Sequence, residues 1–141
     1  MRAPIPEKLP ADMASVADDL SRSADKMLCL KEAYLVLSRK YRGYRYKTYF
    51  HIFDFFKNDV DVNWRKSGFL HCTNLNNLLI ALLVKSGHFK EWDIERRWTL
   101  IWYISPHEYL RVKIGDSEYV NVDLWGKAYG IDFGDYAHGL H

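Results

Sequence analysis

The chain has 141 residues, 48% of them hydrophobic and 16% aromatic, with a formal charge of only +2. That length suits one domain spanning residues 1–141 with a core of its own. The hydrophobic share excludes a disordered chain, and the near-neutral charge gives no reason to expect nucleic acid or anionic lipid as a partner.

The longest aliphatic run, "LLIALLV" at residues 78–84, is too short to span a membrane. The N-terminal stretch holds no apolar segment of signal-peptide length, so the expected location is cytoplasmic. The two cysteines, Cys29 and Cys72, stand in different contexts and are read as two separate roles rather than a disulfide.

Residues 1–10 read as a loosely ordered lead. A short helix follows over residues 11–22. A stronger one starts at Ser23 as N-cap and runs to about Tyr41, where Met27, Leu30, Ala33, Tyr34 and Leu37 recur at three- and four-residue steps and Gly43 would end it. Cys29 lies off that stripe, in a packing role. "YRYKTYFHIFDFF", residues 44–56, fits a strand in its first half and a helix in its second; "KNDVDVNWRKSG" then reads as loop.

The central helix is expected over residues 72–86 with Gly87 just past its end. Leu75, Leu78, Leu79, Leu82 and Leu83 make one apolar stripe, and Cys72 continues it from the first turn. There the backbone N–H groups are unpaired and the helix dipole is positive, which favours thiolate over thiol. After a connection with one helical turn, three strands are expected at residues 96–105, 108–114 and 118–125, the last two joined by the turn Gly115-Asp116-Ser117. Helices followed by an antiparallel meander make an α+β fold, with N-terminal helices and a Cys-bearing central helix packed on an antiparallel β-sheet.

If Ile114 pairs with Glu118, Asp123 falls opposite Tyr109, and His107 is its diagonal neighbour on the same face. Cys72, His107 and Asp123 can then form a thiol–imidazole–carboxylate relay. Strict alternation places His107 on a polar face with Tyr109, Arg111 and Lys113. This calls either for a twist or bulge after Pro106 or for an open cleft over that face.

Carried by "GFLHCTNLNNLLIALLVKSG" and "HEYLRVKIGDSEYVNVDLWG", in that order, the chain resembles the transglutaminase-like superfamily within the papain-like cysteine peptidase fold. The resemblance covers residues 67–131. It implies Cys72 as nucleophile, His107 as general base and acid, and Asp123 as the orienting carboxylate. The implied reaction is acyl transfer from an amide of a peptide or protein through a thioester. The Cys72 backbone N–H would serve as one oxyanion donor, with Trp64 and the tyrosines at residues 44–49 as candidates for the second. Tyr109 and Trp125 are candidates for the cleft wall, and His71 is either a helix-entry residue or part of the cleft rim. The chain departs from the family pattern in having Gly68 four residues before the cysteine rather than two, and Leu124-Trp125 after the Asp.

Peptidase or amidase hydrolysis ranks above cross-linking, because nothing marks a site for a second amine; acetyl transfer is a lesser option. No cofactor is implied, and no CxxC or HxxxH spacing supports a metal. The rival reading is a transglutaminase-like fold without chemistry, acting as a protein-binding module. A smaller alternative is single-stranded nucleic-acid binding through residues 39–49 (Arg39 to Tyr49), where basic residues interleave with tyrosines. Trp98, Trp102 and Trp125 are taken as core.

Overall fold

The computed structural model describes residues 3–42, 59–66 and 68–139. The ambiguous segment at residues 44–56 lies outside them, as do Gly43 and the tyrosines at residues 44–49. The described residues form an α+β fold, with four α-helices and a three-stranded antiparallel sheet.

Residues 3–10, expected as a loose lead, set Ala3 and Leu9 into the core. Helix α1, Ala11–Ser21, buries Met13, Ala17 and Leu20 on one face. Helix α2 is Lys26–Lys40, and its N-cap is Asp25 rather than Ser23: the Asp25 carboxylate accepts from the Leu28 N–H at 2.8 Å. The Ser23 hydroxyl instead donates to Glu32 at 2.7 Å. Helix α2 buries Leu30, Ala33, Tyr34 and Leu37 as the periodicity predicts, and Cys29 with them, its sulfur 3.5 Å from the Ser86 hydroxyl. The helix stops at Lys40 because Tyr41 is already extended.

Strand β1, Tyr41–Arg42, pairs in parallel with β2, Gly68–Phe69. Between them the sequence predicts only loop, but Val60–Arg65 forms a short helix, α3. Asp59 caps it, accepting from the Asp61 and Val62 N–H groups, and Val60, Asn63 and Trp64 are buried at helical spacing. Strand β2 leads directly to the central helix α4, Cys72–Lys85. This helix is buried on nearly every side because α1, α2, α3 and the sheet all pack on it. Its end at Ser86 and Gly87 matches expectation, with Gly87 at φ +84°, a conformation that costs glycine little.

A 3-10 turn at Glu91–Asp93 precedes the sheet. Strand β3 is Ile94–Ile101, β4 is Ser105–Lys113 and β5 is Tyr119–Val122, in the order β3-β4-β5. The expected pairing of β4 with β5 holds: Lys113 faces Tyr119 and Leu110 faces Val122. Strand β3 ends earlier than predicted. Trp102 and Tyr103 form the turn, both at positive φ, which is unusual for aromatic residues. Trp98 and Trp102, taken as core in the sequence, are about half exposed. No helix among the described residues is long and apolar enough to cross a membrane.

Candidate active site

Cys72 is the first residue of α4 and is partly exposed. The Leu75 N–H is the first to reach back into the helix, to the His71 carbonyl at 3.0 Å, and the His71 side chain does not cap the end.

His107 is the third residue of β4, and Asp123 follows the last residue of β5. The β4–β5 register makes them diagonal neighbours, and His107 Nε2 lies 2.7 Å from Asp123 Oδ2. With Nε2 committed to the carboxylate, Nδ1 is the ring nitrogen left for Cys72, whose side chain lies near enough to act on the ring. Burial acts against the charged ring, but the hydrogen bonds to Asp123 and Cys72 and the charges of both outweigh it, pushing the His107 pKa up to about 10.

Asp123 is fully engaged. Oδ2 accepts from His107 and from the Ala137 N–H at 2.8 Å; Oδ1 accepts from the Gly126 N–H at 2.8 Å. Gly126 is required for this approach. A Cβ there would stand 2.7 Å from Asp123 Oδ2 and 2.9 Å from Ile131 Cγ1. The sequence reading missed Gly126, although Asp and Gly three residues apart after a strand are a turn signal.

The polar face of β4 resolves differently from either expectation. The β3–β4 ladder runs from Ile94–Val112 to Ile101–Ser105 without a slip, so no bulge redirects His107. The face is instead covered by the chain that follows β5. The Trp125 ring lies 5.0 Å from the His107 ring, and Tyr136 stacks on Tyr109 at 4.1 Å and 5°. Bridges Asn121–Gly134 and Ile101–Gly139 hold this C-terminal strap against both edges. His107, Asp123, Tyr109 and Trp125 are consequently buried. Tyr109 and Trp125 thus shield the imidazole–carboxylate pair rather than line an open cleft, and His71 is a buried helix-start residue rather than a rim.

Trp64 is buried in α3. Lys40 Nζ sits 3.7 Å over its ring, its carbonyl accepts from the Tyr41 hydroxyl at 2.7 Å and from Lys40, and its indole is the main cause holding the Asp12 carboxyl below its usual range. These partners come from α1, α2 and β1, and none belongs to the triad. Tyr41, within the basic aromatic stretch, is buried with its hydroxyl on the Asn63 and Trp64 carbonyls, so it offers no face for stacking a base. Among the described residues no His, Cys, Asp and Glu cluster could hold a metal ion.

No protein-family model matches the chain, and neither a curated protein nor a solved structure matches it.

Proposed function

We propose that the protein is a cysteine-dependent acyl-transfer enzyme of transglutaminase-like, papain-like design, hydrolysing or transferring an amide of a peptide or protein. The observation that carries this is one buried imidazole hydrogen-bonded to a carboxylate, with a helix-start cysteine near enough to act on the ring.

The chemistry follows from the placement. Cys72, as thiolate, attacks the amide carbon, and the carbonyl electrons move to oxygen. The Cys72 N–H at the helix start can stabilise that oxyanion. His107 gives its proton to the departing amine as the C–N bond breaks, leaving a thioester on Cys72. The neutral ring then takes a proton from water, whose oxygen attacks the thioester, and returns a proton to the sulfur as the acid leaves. Asp123 keeps Nε2 protonated throughout and so directs Nδ1 to the sulfur. Trp125 and the strap keep the pair dry, which strengthens its electrostatics.

The test is acylation by an activated ester such as p-nitrophenyl acetate, followed by intact mass and peptide mapping. The reading expects an acyl group on Cys72 in preference to Cys29 that turns over in the wild type and accumulates in His107→Ala. Equal acylation of both cysteines, or a His107→Ala protein that acylates and deacylates at the wild-type rate, would leave only the binding-module reading.

A further inference from the structure

The opposite face of β4 carries a second buried charge that the relay does not use. Glu108, the peptide neighbour of His107, is 1% exposed. Its Oε1 lies 2.9 Å from Arg96 Nη1 on β3 and accepts from Asn76 Nδ2 on α4 at 3.0 Å. The same Asn76 nitrogen is 3.2 Å from the Glu108 backbone carbonyl. Arg96 Nη2 donates onward to Asn77 Oδ1, which lies 3.4 Å from the Ala3 nitrogen. Glu108 Oε2 is buried with no hydrogen-bond partner among the described residues.

A buried carboxylate with one oxygen unmet is a costly way to join a helix to a sheet, since apolar residues of similar volume often do as well. What the ion cluster adds is direction. Asn76 stands one helical turn after Cys72, and Glu108 one residue after His107. Its bonds therefore tie the nucleophile's helix to the base's strand beside the reacting atoms. Leucine packing along α4 is non-directional and resists sliding less well.

We propose that Asn76, Glu108 and Arg96 form a positioning clamp that fixes the separation of Cys72 from His107 and so sets how readily the thiol ionises. The inference rests on the acyl-transfer reading and deepens it. None of the three touches a reacting atom. The titratable and charged groups at the pair are Asp123 behind the ring and His71 before Cys72, while Arg96 and Glu108 neutralise each other on the other face. Asn76→Ala thus changes position without changing charge.

The experiment follows Cys72 alkylation by iodoacetamide against pH, together with the NMR titration of the His107 ring. In Asn76→Ala the alkylation inflection is expected to rise by at least one pH unit, about a tenfold loss of rate below both inflections. The His107 titration should fall with it, because the influence of Cys72 on the ring weakens while the hydrogen bond to Asp123 stays. Asn76→Ser, milder in a buried helix, carries the same expectation. Asn76 variants that melt earlier but leave both profiles unmoved would show a merely structural role and overturn the clamp. A wild-type thiol that alkylates as an ordinary one, indifferent to His107→Ala, would sink the acyl-transfer reading instead; the ring titration still decides the clamp.

Discussion

Asp123→Asn is a perturbation whose cost the geometry specifies. The carboxylate accepts three bonds at 2.7–2.8 Å, from His107, Ala137 and Gly126, in a site with almost no solvent contact. An asparagine of the same shape has one oxygen and one NH2. Turned one way, its NH2 opposes the Ala137 N–H; turned the other, it opposes the Gly126 N–H. Either way a buried donor is left facing a donor, and His107 loses the charge that holds its proton. Removing one partner of a buried charge pair costs about 3–5 kcal/mol. In a chain of this size that corresponds to a fall in Tm of roughly 10–20 °C. The pH dependence follows from His107, whose pKa stands at about 10 against an ordinary 6.5. A raised folded-state value means the stabilisation is fully present below pH 6.5 and is lost as pH climbs towards 10. The stability gap between wild type and Asp123→Asn, measured by urea denaturation, should therefore be widest near pH 6 and narrow steadily to pH 10. A Tm change under 2 °C, or a gap that does not vary over that range, would refute the reasoning.

Gly126→Ala drives a Cβ to 2.7 Å from Asp123 Oδ2, and should cost about 1–3 kcal/mol in chemical denaturation while slowing Cys72 alkylation at pH 6. A fully tolerated alanine would show that the close approach is not needed. A double-mutant cycle on Tyr109→Leu and Tyr136→Leu should return a coupling of about 0.5–1.5 kcal/mol for the stacked rings that hold the strap, and zero coupling would place that stack outside the stability of the site. Asp25→Ala should lower stability by about 1 kcal/mol through the lost cap on α2, more than Ser23→Ala, and the reverse ranking would restore Ser23 as the cap.

What sequence could and could not convey is plain at particular residues. The three-residue turn Gly115-Asp116-Ser117 specifies register, and register alone brings Asp123 to His107. Helical spacing likewise identifies α4, and Gly87 marks its end. The cover over the β4 polar face has no such signal. It is made by aperiodic chain, where Trp125, Tyr136 and the Ala137 N–H meet the site through tertiary packing alone. Helix α3 was hidden because six residues rich in polar side chains show little periodicity, although Asp59 before Val60, Asn63 and Trp64 is a legible cap and stripe. The turn at Trp102 and Tyr103 contradicts local preference outright, since positive φ there calls for glycine or asparagine. Alternation puts Glu108 on the apolar face of β4 with Leu110 and Val112, but the Arg96 and Asn76 partners that let a charge be buried there come from other elements and have no local signal.

The most direct measurement is the rate of Cys72 carboxamidomethylation from pH 4 to 10, in wild type and in His107→Ala, by quantitative peptide mapping with Cys29 as the internal buried reference. A sulfur ionised by its imidazole partner should react with an inflection well below the ordinary thiol value of about 8.5, and His107→Ala should return it to that value. An inflection near 8.5 in both proteins would contradict the account.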